Sequence, residues 1–233
     1  MALFNYTSKE VFETELLSKN ITDSSILNSN LDELRCADTT WNKIDMNDSN
    51  CNDAVFSNSK FSECTFFRSS LINSSFQKCN FLNSKFSGIS FIKIKFENSK
   101  LKNQIFDSCT MQRACLNNVI IQNSTLKDFE AVYANFSNTV FINCFIELNY
   151  GSGTNGLSSA NLTNCVFLNC TFNGYPLRGS NLVNCTFINC SGEITDDATT
   201  ENTYGLPHFH NSKTIALNNK EKAIRLLSEV KNG

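Results

Sequence analysis

Apolar residues recur at every fifth position of this chain. From Ile21 to Ile146, every residue at this interval is apolar. Because 41% of the chain is apolar, a run of this length would arise by chance with a probability on the order of 10⁻¹⁰, so the period reflects the architecture. A period of five matches neither the helical turn nor the alternation of a flat strand. The pattern therefore predicts a repeat protein built from five-residue units.

Each unit combines one large apolar residue, which we call the centre, with one small residue. In the run from Ile21 to Ile146, most positions two before a centre are occupied by Ala, Ser, Thr or Cys. The other three positions are mostly polar, so two of five side chains are expected to point inward. At one unit the order is reversed: the large Phe129 lies two positions before the centre, and the small Ala131 is the centre. This reversal would roughly conserve the interior volume.

Several five-residue segments resemble the A(D/N)LXX consensus of the pentapeptide-repeat family. Examples are CTFFR at 64–68, CNFLN at 79–83, ANFSN at 134–138, ANLTN at 160–164 and SNLVN at 180–184. The resemblance covers residues 19–190 and implies an all-β solenoid, a right-handed quadrilateral β-helix with four repeats per coil. Thirty-two repeats then predict about eight coils and a rod about 38 Å long. Since Phe occupies 14 of the 32 centres, we expect stacked rings along the axis.

The repeat changes register once. The centres from Leu162 onward are shifted by one residue relative to the run that ends at Ile146. The intervening segment 147–157 contains three glycines and lacks inward pairs, which predicts a loop thrown out of the coil. Leu157 could instead be the centre of a degenerate repeat in the second register.

A second irregularity spans residues 174–179. Tyr175 occupies a position that is usually small, and Pro176 lacks the backbone N–H that a strand ladder requires. We therefore expect a local distortion of the coil here, close to the shifted register.

Both ends of the chain carry the pattern of a short amphipathic helix. Residues 1–18 are predicted to form an N-terminal capping helix, with a capping box from Thr7 to Glu10. Residues 19–190 form the repeat region, and 191–233 are predicted to be an irregular tail and a C-terminal helix. The latter begins with a second capping box and has an apolar face made by Ala223, Ile224, Leu227 and Val230. Each helix could be a lid on the open core, and the C-terminal one could instead join two copies in a homodimer.

The eleven cysteines follow the repeat. Eight of them lie two residues before a centre, Cys36 and Cys51 are centres, and Cys115 alone lies elsewhere. This placement indicates that cysteine serves as a small apolar residue, which predicts free thiols and a reducing, cytoplasmic location.

No pattern of metal or cofactor ligands stands out from the repeat. Cys165, Cys170, Cys185 and Cys190 form two C-x₄-C spacings, but packing alone predicts them because five residues make one face and 20 make one coil. A narrow apolar interior does not suit tetrahedral zinc thiolates. We therefore expect neither a metal nor a cofactor.

The chain lacks a recognisable catalytic constellation. Its two histidines, His208 and His210, lie in the tail, so a Cys–His or Ser–His pair would have to recruit that segment. The glycine-rich stretch 151–156 has no Lys-Ser/Thr ending for a phosphate cradle. The sequence therefore favours a protein that is not an enzyme.

Charge is distributed unevenly along the chain. Residues 10–63 contain 11 acidic and 4 basic residues, whereas 64–113 contain 2 acidic and 8 basic ones, within a total net charge of -2. The total argues against direct nucleic-acid binding. No run of about 18 apolar residues indicates a membrane span. We expect an acidic first section and a basic band, and the partner to be another protein.

The resemblance to the family implies specific functions as well as the fold. Some pentapeptide-repeat proteins engage DNA gyrase as mimics of DNA and confer quinolone or toxin resistance, often with loops extruded from the rod. Duplex DNA would present about 22 charges over 38 Å, against a net of -2 here. The leading interpretation is therefore a rod-shaped protein–protein interaction module, with a gyrase or topoisomerase binder as the alternative and a bacterial effector or targeting module as a further one.

The candidate partner-binding residues lie in the two irregular segments and in the acidic section. They are Asn149, Tyr150, Thr154, Asn155, Tyr175, Arg178, Asp45, Asp48 and Asp53.

Overall fold

A computed structural model describes the backbone of residues 5–7 and residues 20–149 and 156–206 of the 233-residue chain. Of the predicted N-terminal capping helix, 1–18, only Asn5–Thr7 are described, and they form a strand that pairs with the first turn of the coil. The predicted C-terminal helix from Asn218 lies outside the described residues. Between 20 and 206, the chain winds into a parallel β-solenoid of about nine turns. This is one turn more than the repeat count predicted.

Each five-residue unit forms one face of the coil. Three residues around the centre are extended, and because alternate strand residues point to opposite sides, the centre faces the axis while its two neighbours face outward. The small residue two positions earlier also lies inside, so that both Phe86 and Ser84 are 2% exposed. The predicted inward pair of one large and one small side chain is therefore confirmed.

The chain turns at the residue two positions after each centre, where the backbone adopts a left-handed conformation. Asn103 has φ 58° and Asn123 has φ 50°. Asparagine tolerates positive φ better than most residues. It occupies 15 of the 31 non-glycine positions with positive φ in the described chain, so the corner geometry explains why the sequence is rich in asparagine.

Four faces make one coil, and we number them by the first centre that each contains: Ile21, Ile26, Leu31 and Cys36. The first two turns run across faces 1 and 2 without a break, in β2 (Asn20–Leu27) and β4 (Thr40–Asn47). The other strands of face 1 are β6 (Lys60–Ser62), β9 (Asn80–Leu82), β12 (Lys100–Lys102), β15 (Ile120–Gln122), β18 (Val140–Ile142), β21 (Val166–Leu168) and β24 (Thr186–Ile188). The other strands of face 2 are β1 (Asn5–Thr7), β7 (Thr65–Phe67), β10 (Lys85–Ser87), β13 (Ile105–Asp107), β16 (Thr125–Lys127), β19 (Phe145–Glu147), β22 (Thr171–Asn173) and β25 (Ser191–Gly192).

Faces 3 and 4 differ in regularity. Face 3 consists of turns joined by isolated parallel bridges, the first between Asn30 and Asn50 and the last between Glu130 and Gly156. The strands of face 4 are β3 (Arg35–Ala37), β5 (Val55–Ser57), β8 (Ser75–Gln77), β11 (Lys95–Glu97), β14 (Cys115–Asn117), β17 (Asn135–Ser137), β20 (Asn161–Thr163), β23 (Asn181–Val183) and β26 (Thr199–Glu201).

All pairings between successive turns are parallel and in register with the repeat. Phe86 pairs with Phe66 in the preceding turn and with Phe106 in the following turn. Among the described residues, faces 1 and 2 form a 17-stranded sheet and face 4 a 9-stranded sheet. The pairing continues past residue 190, because Leu182 pairs with Thr200 and Thr186 bridges to Tyr204.

The axis is filled with stacked aromatic rings, as predicted. Phe86 lies between Phe66 at 4.8 Å and Phe106 at 5.0 Å, with interplanar angles of 15° and 9°. Phe167 is stacked in the same way between Phe141 at 4.6 Å and Phe187 at 4.7 Å. Such offset ring pairs stabilise a core beyond the burial of their area.

The exchange of sizes at Phe129 and Ala131 leaves the core nearly full. Both residues are buried, and the adjoining part of the axis contains an apolar cavity of about 20 Å³. By this measure roughly 10–15 Å³ is enough for one water, so the space is water-sized, but its lining is apolar and offers no hydrogen-bond partner. No helix among the described residues is long and apolar enough to cross a membrane.

Candidate functional site: the insertion edge

The register shift is a six-residue insertion between two intact faces. Glu130 bridges to Gly156 and Ile146 pairs with Phe172, so the separation in sequence between partners in successive turns rises from 20 to 26 here. Leu157 is the buried centre of face 3, which confirms that it starts the second register. The predicted loop 147–157 was therefore too long, because Glu147 belongs to β19 and Gly156 to the coil. The extra residues, 150–155, lie outside the described part of the chain.

The insertion interrupts the corner between faces 2 and 3. The residues stacked along this corner are Asp48, Arg68, Gly88, Ser108, Asp128, Leu148 and Gly174, one from each successive turn. We call this column, together with Asn149 and Tyr175, the insertion edge. Six steps of about 4.8 Å separate Asp48 from Gly174, so the edge is about 29 Å long.

Hydrogen bonds hold the start of the insertion in place. The Asn149 backbone N–H donates to one carboxylate oxygen of Asp128 at 2.8 Å, and its side-chain amide donates to the other oxygen at 2.7 Å. The backbone N–H of Leu148 continues the ladder by donating to the carbonyl of Asn173 at 2.9 Å. The direction in which the chain leaves the coil is thus fixed by its neighbours on both sides.

Gly174 allows the backbone to approach the insertion closely. Its φ is +74°, and a Cβ at this position would lie 2.0 Å from the carbonyl oxygen of Leu148. Tyr175 follows with φ 54° and is half-buried, and its N–H donates to the carbonyl of Glu193 at 3.0 Å. The expected distortion at 174–179 therefore arises because two left-handed residues occur in succession beside the insertion.

The predicted acidic residues fall on different parts of the rod. Asp48 lies on the insertion edge, where its carboxylate accepts a hydrogen bond from Arg68 Nη2 at 2.8 Å. Asp45 points outward from the adjacent face 2 and is exposed. Asp53 lies on the opposite corner of face 3, where it accepts a hydrogen bond from the Asn73 side chain.

Arg178 lies on face 3, one turn from the end of the described coil. Its Nε is 3.5 Å from Asp196 and 3.7 Å from Asp197, in exposed pairs that contribute little stability. The remaining predicted residues, Tyr150, Thr154 and Asn155, lie outside the described part of the chain. The structure therefore brings Asp45, Asp48, Asn149 and Tyr175 to one side of the rod. Arg178 adjoins Tyr175, because its N–H donates to the Tyr175 carbonyl at 3.0 Å, whereas Asp53 lies on another corner.

Asp128 is the residue of this edge that sequence reasoning missed. It holds Asn149 with both carboxylate oxygens, yet in the linear sequence it is one of many scattered surface charges. Aligning the sequence with a period of 20 would have placed it directly below the start of the insertion.

The thiols take part in packing. All eleven cysteines are free, and most are buried, while Cys190 is half-buried and Cys115 is exposed. Burial raises the pKa of Cys64 and Cys79 to about 11 and that of Cys109 to about 12. Since the thiolate is the reactive form, these three side chains are poor nucleophiles and poor metal ligands at neutral pH. Among residues 20–149 and 156–206, no group of three or more His, Cys, Asp or Glu side chains is arranged to hold a metal ion.

Comparison with known proteins identifies the repeat. Residues 49–88 and 84–123 match the sequence profile described as Pentapeptide repeats, in 8 copies. No curated protein sequence matches this chain.

Solved structures are similar to this chain at low sequence identity. A trypsin-treated variant of QnrB1, a plasmid-mediated fluoroquinolone resistance protein, superimposes with a TM-score of 0.57 and 12% identity over 86% of this chain and 90% of that chain. HetL is a pentapeptide repeat protein involved in heterocyst differentiation regulation in the cyanobacterium Nostoc sp. strain PCC 7120. It superimposes with a TM-score of 0.40 and 13% identity over 85% of this chain and 86% of that chain. The A-module of mannuronan C-5 epimerase AlgE4 from Azotobacter vinelandii superimposes with a TM-score of 0.42 and 9% identity over 84% of this chain and 64% of that chain.

Proposed function

The chain belongs to the pentapeptide-repeat family, and from this premise we propose that it is a non-enzymatic rod that binds another protein through the insertion edge. The observation that carries the proposal is the placement of the insertion. It departs from the corner between faces 2 and 3, where the separation between partners rises from 20 to 26, and its start is fixed by Asp128. The acidic residues Asp45 and Asp48 lie on the same side of the rod.

The size of the edge suits a protein partner. A standard protein–protein interface buries about 800 Å² on each side, which corresponds to a patch about 28 Å across. The insertion edge is about 29 Å long, so the straight rod already matches the width of such a patch. Because the edge combines a β-scaffold with a local insertion, a partner would meet a regular surface that one insertion interrupts.

The burial of the thiols supports a non-enzymatic role. Nine of the eleven thiols, which would be the natural nucleophiles of this chain, are buried. Burial raises the pKa of three of them to about 11 or 12. The surface instead offers repeated polar side chains on flat faces, which suits recognition better than bond making or breaking.

A register-neutral deletion tests the role of the insertion. Joining Asn149 to Gly156 removes residues 150–155 and restores the regular spacing of the coil, so we expect the variant to fold. Partner capture by the intact protein and by this variant, measured by quantitative mass spectrometry, should show at least one stoichiometric partner whose recovery falls by about tenfold or more in the variant.

Two controls separate the insertion from general effects on the rod. Replacing 150–155 with an equally long stretch of Gly and Ser keeps the length and should lose the partner in the same way, because the side chains are removed. Lys95→Glu changes an exposed outward residue of face 4, on the opposite side of the coil from face 2, and should leave capture unchanged. Equal recovery with the intact protein and the deletion variant would contradict the proposal.

We also propose a more specific candidate, protection of DNA gyrase or another topoisomerase. The observation that favours it is that the acidic first turns, with Asp45 and Asp48, adjoin the same edge as the insertion. A strip of carboxylates resembles a short length of DNA backbone, whereas the basic middle of the rod does not. The fold shared with QnrB1 is consistent with this role.

A supercoiling assay with DNA gyrase, with and without a fluoroquinolone, tests this candidate. We expect the intact protein at micromolar concentration to change the activity or the drug sensitivity, and Asp45→Lys with Asp48→Lys to weaken that effect by about tenfold. The deletion of 150–155 should weaken it as well. If the intact protein has no effect in either assay, the gyrase candidate is wrong while the general binding role is unaffected.

A further inference from the structure

Face 1 carries an apolar patch on its outer surface near the end of the coil. Val140 and Ile142 flank the inward Phe141 in β18, so both point away from the axis. The partners of Val140 in the neighbouring turns are Ile120 and Val166, and those of Ile142 are Gln122 and Leu168, with Ile188 beyond. Val140, Val166 and Ile188 form a cluster separate from the axial core, against which Ile142 and Leu168 pack. We call these residues, with Ile120, the face 1 patch.

The face 1 patch is buried, although its side chains point outward. Val140 and Val166 are each 2% exposed and Ile188 is 5% exposed. Outward apolar residues on face 2 behave differently, since Phe145 is 37% exposed and Ile105 is 46% exposed. Every strand of the described chain belongs to the coil itself. No strand of the described residues forms a second layer over the patch.

We propose that the C-terminal segment 207–233 of this same chain covers the face 1 patch. The described coil ends beside the patch, because the bridge from Thr186 to Tyr204 adds the last turn to face 1. Four steps of about 4.8 Å, or about 19 Å, separate Tyr204 from Ile120 at the far side of the patch. A linker from 207 to 217 can span about 36 Å when extended, so the following residues reach the whole patch.

The other two long segments outside the described residues cannot reach it. Residues 8–19 are tied to the first turn at Thr7 and at Asn20, and a segment of about 12 residues tied at both ends extends no more than about 23 Å. Val166 lies seven turns from Asn20, about 34 Å along the rod. Residues 150–155 leave and rejoin the coil at the corner of faces 2 and 3, with the whole of face 2 between them and the patch.

The sequence of the segment matches the patch. Residues 218–231 place Ala223, Ile224, Leu227 and Val230 along one stripe of a helix. A helix of this length is about 21 Å long and about 10 Å wide. The patch extends about 14 Å over four turns, and the corners that bound face 1 lie no more than about 16 Å apart. A single helix along the rod axis would therefore bury the apolar residues and leave its charged side in water.

The rims of the patch are uncharged and polar. On one side the amide of Asn143 donates to Asn123 at 3.0 Å and that of Asn169 donates to Asn143 at 3.2 Å. On the other side Asn164 donates to Asn138 and Asn184 donates to Asn164, each at 3.2 Å. An apolar centre between two polar rims is the usual composition of a specific interface. These rims suit an amphipathic helix that lies along the side of the rod, which is an alternative to the predicted lid on its end.

Hydrogen exchange measured by mass spectrometry on the full-length protein tests the proposal. Peptides that cover 218–231 should exchange about tenfold or more slowly than the same sequence as a free peptide. Val166→Asp should remove that protection, because it places a charge under the apolar stripe. Phe145→Asp is the matched control: an outward apolar residue of the same coil on face 2 that should leave the protection unchanged.

A second variant keeps the test decisive if Val166→Asp does not fold. Leu227 lies beyond the last described coil residue in the sequence. Leu227→Asp should release the segment 207–233 and speed hydrogen exchange of 218–231 without lowering the protection of β10 and β13. Light scattering at the concentration used for exchange distinguishes the occupant. Protection in a monomer supports the proposal, whereas protection found only in a dimer, or no protection in the unmodified protein, overturns it.

Discussion

Replacing Phe86 with alanine is expected to destabilise the rod by about 4 kcal/mol, as judged from the loss of a fully buried aromatic side chain in a well-packed core. Phe86 is 2% exposed and touches four other rings: Phe66 and Phe106 above and below it, and Phe81 and Phe91 in its own turn. The coil is held by ladders on several faces and cannot collapse around the gap. The cavity would therefore persist, and cavity size determines the cost.

The solenoid amplifies this loss. Each turn of a repeat protein contacts only its neighbours, so a weak turn in the middle interrupts the coupling between the two halves. We expect Phe86→Ala to broaden the urea transition or divide it into two steps, in addition to lowering its midpoint. Because the free energy of unfolding of a whole domain is only about 5–15 kcal/mol, a loss of about 4 kcal/mol is a large fraction of the stability.

Two further substitutions calibrate the result. Phe86→Leu should cost about 1 kcal/mol, because Leu101 and Leu126 already serve as centres of the same axis. Phe145→Ala removes a ring of the same size that is 37% exposed, and it should cost less than about 1 kcal/mol. If Phe86→Ala is no more destabilising than Phe145→Ala in urea unfolding, the axial stack does not carry the stability assigned to it.

The fold could be predicted from the sequence because one physical requirement recurs in every unit. A centre must fill the axis and a small residue must fit beside it, so Phe86 with Ser84 repeats the solution of Phe66 with Cys64 one turn earlier. The corner residues were not predicted, although they carry a signal of their own. Asn103 and Asn123 are frequent there because the backbone has positive φ, a requirement that hydrophobic periodicity does not reveal.

The end of the coil and the candidate site were harder to predict for a different reason. Beyond residue 190 the coil continues with Gly192 and Thr200 at centre positions, and neither has an apolar side chain that would mark the repeat. The backbone ladder extends the coil there, and the buried apolar residues Ile194, Ala198 and Leu206 do not follow the five-residue spacing of the centres. At the insertion edge, Asp128 and Asn149 meet only because the winding of the coil brings them together. Contacts between successive turns depend on the number of residues in a turn. They can be predicted only once the coil is known, because the sequence of a single repeat does not contain both partners.

Raising the pH from 9 to 11 is expected to destabilise the protein by roughly 2 kcal/mol for each buried thiol that must stay neutral in the folded state. Burial raises the pKa of Cys64 and of Cys79 from 9.0 to about 11. The same cause raises the pKa of Cys109 to about 12. A folded-state pKa above the unfolded value contributes stability that is fully present below pH 9, the unfolded pKa. That stability is lost as the pH rises from 9 through the folded pKa, because the unfolded chain then releases the proton and the folded chain does not.

Serine substitutions isolate this effect from the titration of lysine and tyrosine. In the stacks that contain these thiols, Ser84 lies one turn from Cys64, and Ser59 and Ser99 lie on either side of Cys79, so serine already fits at this depth. Urea unfolding of Cys64→Ser/Cys79→Ser under reducing conditions should lose about 4 kcal/mol less between pH 9 and pH 11 than the unmodified protein does. Cys115→Ser, which changes the exposed thiol, is the control for the loss of a thiol as such. Parallel profiles for the double variant and the unmodified protein would show that the buried thiols do not determine alkaline stability.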